Sequence, residues 1–212
     1  KMTSILQTPI ALVSLILASS SPFRKELLSK LGLSFVTHSP DIDESRNSGE
    51  TPEQLVFRLA QDKAKEVAKF HQGLIVASDQ VATLQDGQGA NDQVLGKPHT
   101  HENAVKQLSE CSGKTVTFIT SLCLLNTNTN NMQTIVETFK VVFRQLNFEQ
   151  IDYYLKKEQP YNCAGSFKSE GLGISLFSEL DGKDPNTLIG LPLIQLIQLL
   201  GNEGVDVLKA EA

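Results

Sequence analysis

Apolar residues along this chain recur in two rhythms. The run at residues 15–18 is short and unbroken and gives way to three serines and a proline, which predicts a buried strand entering a turn. Ser21 and Pro22 then offer an N-cap and a first-turn proline, and Phe23, Leu27, Leu28 and Leu31 follow at helical spacing until Gly32. A second short strand is predicted at residues 34–37, followed by an acidic surface loop at residues 41–50. Leu55, Leu59, Ala60, Ala64, Val67 and Ala68 form one stripe, predicting a helix that opens at Thr51-Pro52-Glu53 and reaches about Phe70. The aliphatic run 74–78 has the character of a central strand and ends on Asp79.

Beyond it, residues 87–91 read as a turn and residues 99–108 as a helix capped near Thr100. Strands are predicted at 115–125 and 132–143, joined by a hairpin connection at 126–131, with a further strand within 174–176. Asn147, with Gln150 three residues on, opens a helix at 148–157, and residues 191–200 form the last one. The order β-α-β-α-β-α, then a β-hairpin, then helices predicts an α/β fold with a mixed sheet, parallel pairs crossing through helices to meet an antiparallel hairpin. Residues 1–13 read as a leader, 14–205 as one domain and 206–212 as a tail.

Composition narrows the function classes. The chain is 40% hydrophobic and 20% charged, with a net charge of −5. It should fold, and it repels a nucleic acid polymer. The apolar stretch 10–18 is far shorter than the roughly 20 residues a membrane span needs. Cys111, Cys123 and Cys163 are odd in number and widely spaced, which suits neither a disulfide framework nor a Cys-x-x-Cys metal site. A reducing, cytoplasmic setting is expected.

No P-loop, dinucleotide fingerprint or nucleophile elbow is present. Gly96-Lys97 lacks the P-loop glycine spacing, and Pro98 stands where a metal-binding hydroxyl would be. The segment Ser19 to Lys25 is richer: three hydroxyls, the free N–H groups of a helix start, and Arg24 and Lys25 together predict an anion site just after a strand. Asp41, Asp43, Glu44 and Asp79 form an acidic set. Hydrolysis of a phosphoanhydride needs carboxylates to hold a divalent metal and orient or deprotonate a water, and cations such as Lys63 and Lys97 to take up charge.

These residues resemble a known family. Residues 15–24, Leu-Ile-Leu-Ala-Ser-Ser-Ser-Pro-Phe-Arg, are similar to the opening motif of the Maf nucleoside triphosphate pyrophosphatases. Further blocks follow in order: Asp41 to Glu44, Arg58 to Ala64, Ser78 to Val81, Gly96 to Pro98, Ser112-Gly113, Ala164 to Gly171 and Gly190 to Pro192. Asp79-Gln80 and Phe167 to Gly171 most resemble the YceF-type subgroup, which converts 7-methyl-GTP to 7-methyl-GMP and pyrophosphate.

The resemblance implies a mixed, curved, Maf/HAM-like sheet with flanking helices, two lobes around a cleft, a divalent cation (Mg²⁺, Mn²⁺ or Co²⁺), and commonly a homodimer. It makes Asp79 the catalytic carboxylate, Glu44 its partner in metal binding, and Lys97 a catalytic cation. Ser19, Ser21, Arg24 and Lys63 would bind phosphate, and Phe23, Gln80 and Glu170 would select the base. An aromatic face and a carboxylate both suit the positive charge of N7-methylated guanine, although relatives often carry Trp, a stronger cation-π partner, at the position of Phe23. Two other readings stay open: a pyrophosphatase for dTTP, UTP or CTP, and a nucleotide-sensing regulator of cell division with little turnover.

Overall fold

Leu15, Ile16 and Leu17 are all buried, which places β1 (Leu15–Leu17) inside a sheet rather than at its edge. The computed structural model describes residues 13–85 and 93–209; residues 1–12 of the expected leader and the turn expected at 87–91 lie outside the described residues. β1 pairs in parallel with β2 (Phe35–Thr37) on one side and with β3 (Leu74–Leu84) on the other. The crossovers are α1 (Pro22–Ser29) and α2 (Pro52–Val67), as the alternation of runs predicted. β5 (Thr115–Asn126) and β6 (Asn131–Phe143) form the expected antiparallel hairpin. The sheet order is β2-β1-β3-β5-β6-β7, with β7 spanning Phe177–Asp181 and β4 (Gln93–Leu95) attached to β3.

The helix starts follow from capping chemistry. Thr51 and Asn147 each make a capping box with a glutamine three residues on, opening α2 and α4 (Phe148–Glu158), and the Thr100 hydroxyl accepts from Asn103 N to open α3 (His101–Cys111). Three apolar clusters result. Ile16, Ala60, Ala64, Ile75 and Cys123 seal α2 to one face of the sheet; Leu17, Leu28, Val76, Leu122 and Leu196 seal α1 and α6 (Leu193–Asn202) to the other. The third, with Leu108, Phe118, Phe139, Leu155 and Phe167, binds α3 and α4 into a second lobe.

Three sequence expectations need correction. β3 does not end at Asp79 but continues to Leu84, because β5 pairs with it without a break from Leu74–Asn126 to Leu84–Val116. Ser78, Asp79 and Gln80 look like a strand end in sequence, yet each finds a protein partner. Residues 174–176 are not strand: Leu172–Leu176 is a 3₁₀ turn, and β7 is Phe177–Asp181. A side chain at Gly173 would stand 2.0 Å from the Lys168 carbonyl, so the chain folds tightly back on itself there. The last helix starts at Leu193, two residues late, because Pro192 is its N-cap.

One missed element has structural weight. Asp184, with no exposure, caps α5 (Pro185–Ile189) through Asn186 N at 2.8 Å and also accepts from Ile194 N at 2.9 Å at the start of α6. Asp184→Ala would leave two N–H groups of α5 and α6 without these acceptors, and is expected to cost about 2–3 kcal/mol, read from the urea unfolding midpoint.

Candidate active site

The cleft arises from incomplete strand pairing. β1 covers β3 only along Leu74–Val76, and β4 covers it only along Ala82–Leu84. Between those patches, residues 77–81 pair with β5 alone, so the other edge of β3 opens into a notch between the lobes. Alternation along the strand then sends Asp79 toward α2 and Gln80 toward α5, so both sheet faces contribute side chains to one cavity of about 570 Å³.

All ten residues named from sequence as catalytic, phosphate-binding or base-selecting line this cavity: Ser19, Ser21, Phe23, Arg24, Glu44, Lys63, Asp79, Gln80, Lys97 and Glu170. Asp41 and Asp43 do not. They line a shallow groove beside Asp62, where Asp43 accepts from Ser45 N at 2.9 Å.

At the centre is Lys63, only 7% exposed, whose Nζ lies 2.6 Å from Asp79 Oδ1 and 3.1 Å from Glu44 Oε1. Two carboxylates from different elements therefore converge on one buried ammonium. Burial drives the Asp79 carboxyl above its ordinary range, against the pull of Lys63 and Arg24. Burial also lowers the Arg24 guanidinium, opposed by the charges of Asp79 and Glu44.

Around this centre the turn after β1 presents hydroxyls. Ser19 Oγ accepts from Ser21 N at 3.1 Å and Ser21 Oγ accepts from Arg24 N at 3.3 Å. Each serine uses a lone pair locally and keeps its hydroxyl hydrogen for a ligand. Arg24 Nε donates to the Gly190 carbonyl at 2.8 Å, and Ser78 Oγ reaches the same oxygen at 2.9 Å, so α5's end braces the guanidinium. The φ of 134° at Gly190 is one that side-chain-bearing residues rarely adopt.

On the far wall Lys97 and Glu170, both exposed, line the cavity together with Phe167. Gln80 Nε2 donates to Thr120 Oγ1 at 2.9 Å and to the carbonyls of Thr187 and Leu188 at 3.0 and 3.1 Å. Those carbonyls only accept, which fixes the amide's orientation. Sequence reasoning did not single out Lys168, a further cation of the wall whose Nζ donates to the Glu158 carbonyl at 3.2 Å. Its only sequence signal was its place between Phe167 and Glu170.

Among the described residues no three His, Cys, Asp or Glu side chains converge as a ready metal cage. His101, at the start of α3, is bonded to Asp152 and Tyr161 at 2.8 Å each. No helix among the described residues is long and apolar enough to cross a membrane.

This geometry can be set beside known proteins. Curated proteins named 7-methyl-GTP pyrophosphatase are 55% identical over 199 residues in Pseudoalteromonas translucida, covering 93% of this chain and 96% of that protein, and 55% identical over 202 residues in Alcanivorax borkumensis, covering 95% and 98%. The protein of that name from Nitrosococcus oceani is 57% identical over 196 residues, covering 92% and 96%. Among solved structures, the Ham1 protein of Staphylococcus aureus aligns with a TM-score of 0.50 at 14% identity over 90% of this chain and 99% of that one, a likeness of fold. The family model for Maf-like proteins matches residues 14–203, and with relatives this similar over nearly their whole length the chain belongs to the Maf family.

Proposed function

We propose that this protein hydrolyses the α–β phosphoanhydride of 7-methyl-GTP, giving 7-methyl-GMP and pyrophosphate. The observation that carries the reading is the convergence of Asp79 and Glu44 on Lys63 at the floor of a cleft whose rim is the hydroxyl- and cation-bearing turn Ser19 to Arg24. The names of the relatives point to the same substrate.

The triphosphate lies along Ser19, Ser21 and Arg24, with Lys63 and Lys97 taking up charge as the α–β bridge breaks. Water attacks the α-phosphorus, Asp79 accepts its proton, and pyrophosphate leaves. A hard divalent cation commonly binds through one or two carboxylates plus substrate phosphates, and the Asp79–Glu44 pair fits an ion that arrives with the nucleotide. When bound, such an ion, Mg²⁺, Mn²⁺ or Co²⁺, polarises the phosphoryl oxygens. The positive charge of Lys63 keeps the two carboxylates together.

Phe23, half-buried on α1, and Glu170 offer an aromatic face and a negative charge to the cationic base. The tethered Gln80 presents its remaining carbonyl oxygen as an acceptor for guanine N–H groups. Two free buried thiols, Cys111 pushed up to about 12 and Cys123 to about 11, suit a reducing cytoplasm and take no part in the chemistry.

The decisive experiment offers 7-methyl-GTP, GTP, dTTP, UTP and CTP with Mg²⁺ or Mn²⁺ and separates the phosphate products. Preferential release of 7-methyl-GMP and pyrophosphate is expected; a pyrimidine preference would overturn the base assignment, and binding without turnover the hydrolase. Glu170→Ala is expected to reduce the preference for 7-methyl-GTP over GTP about fivefold, the modest effect of one exposed charge. An unchanged ratio would remove Glu170 from base selection.

A further inference from the structure

Gln107 lies outside the cavity, on α3, yet it bonds to both loops that build the cavity's far wall. Its Nε2 donates to the Gly96 carbonyl at 2.9 Å, and its Oε1 accepts from the Ser166 hydroxyl. Gly96 directly precedes Lys97, and Ser166 directly precedes the run Phe167 to Glu170. Two backbone bonds also tie these connections, from Gly165 N to the same Gly96 carbonyl at 3.4 Å and from His99 N to the Tyr161 carbonyl at 2.9 Å, but Gln107 is the side chain that reaches both loops.

Ser166 carries a cost in this arrangement. It is fully buried with φ at 65°, a left-handed conformation that strains a residue with a Cβ. Glycine would adopt the same backbone without that penalty but would have no hydroxyl to give Gln107. The Gly96 carbonyl accepts only, so the amide nitrogen must face it and the amide oxygen must face Ser166. Glutamate at this position would lack the donor and lysine the acceptor.

We propose that Gln107 is a positioning residue that couples the two halves of the nucleotide site, holding the Lys97 loop that meets phosphate at a fixed offset from the loop of Phe167 to Glu170 that meets the base. This rests on the cleft being the nucleotide site, as assigned above. A ligand part that settles one loop then prepares the other through the Gln107 amide.

The test measures equilibrium binding of two probes, inorganic tripolyphosphate and 7-methylguanosine, each alone and in the presence of the other, alongside 7-methyl-GTP hydrolysis. In the unaltered protein each probe is expected to tighten the other about fivefold, at the lower end of ordinary site-to-site coupling. Gln107→Ala is expected to abolish that mutual effect, and Gln107→Glu, which keeps the acceptor for Ser166 but loses the donor to Gly96, to weaken tripolyphosphate alone. A residue that merely stabilised the fold would shift the melting temperature and leave the coupling intact. If Gln107→Ala loses its native melting transition, Ser166→Gly decides by the same readout, since it removes the hydroxyl and relieves the backbone. Coupling that persists in these variants, or that is absent from the unaltered protein, overturns the proposal. Coupled binding without pyrophosphate release overturns the hydrolase and leaves the coupling standing, whereas binding of neither probe overturns both.

Discussion

Asp79→Asn is expected to lower kcat for 7-methyl-GTP about a thousandfold, within the range that a positioned proton acceptor contributes, while leaving nucleotide affinity within a few-fold of its starting value. The change removes only a charge. Asn has the same shape, its amide oxygen can still accept from Lys63, and the backbone N–H of residue 79 keeps its bond to Ser121 Oγ at 3.0 Å. Burial holds the Asp79 carboxyl above its usual range, so the acid limb of kcat/KM should lie above the ordinary carboxylate range, activity rising with pH as the proton leaves. The stability linkage runs the other way. A folded-state pKa above the unfolded one gives a contribution present at low pH and lost as pH rises through the folded value. Once ionised, Asp79 is thus a cost to the fold, and at pH above its raised value the Asn variant should melt no earlier than the parent. Turnover near the parent's rate would remove Asp79 from the reaction, and a lower melting temperature would make the loss structural.

Much of this site was readable because its residues are local in sequence. The turn Ser19 to Arg24 announces itself as hydroxyls, a cap and cations in one short segment, and the cap is found as expected, Ser21 accepting from Arg24 N. The helix carrying Lys63 followed from its apolar stripe, whose inward face also buries the stem of Lys63. What sequence could not supply was registry between distant segments. β3 was expected to stop where its side chains became polar, because nothing local says that Lys63, Thr120 and Gly190 wait to satisfy them. β4 and β7 carry too few buried residues to stand out, with exposed Gln93, Val94 and residues 178–181. Ser166 illustrates the same limit: neither its left-handed backbone nor its partner Gln107, 59 positions away, is visible without the fold. Local chemistry was legible, and long-range satisfaction of polar groups was not.

Lys63→Met is expected to have the second largest effect, and in a direction that separates charge from packing. Met keeps most of the aliphatic stem against α2's buried face but leaves Asp79, 8% exposed, without its closest counter-charge. Removing one partner of a buried ion pair ordinarily costs about 3–5 kcal/mol. Here the remaining carboxyl has a way to reduce that cost, since burial already pushes it toward the protonated form and Lys63 supplies the largest opposing pull. Without Lys63 the Asp79 pKa rises further, and the acid limb of whatever activity survives moves to higher pH. Because that activity needs the carboxylate, it appears only as pH climbs through the raised value. Glu44, more exposed, loses the ammonium that draws it over the cleft, so the divalent metal concentration needed for half-maximal rate should rise as well. Adding Asp79→Asn to Lys63→Met should recover most of the lost stability, since it removes the stranded charge, while recovering no turnover. If instead the double variant is as unstable as the single one, the Lys63–Asp79 bond at 2.6 Å is not what makes Lys63 matter to the fold.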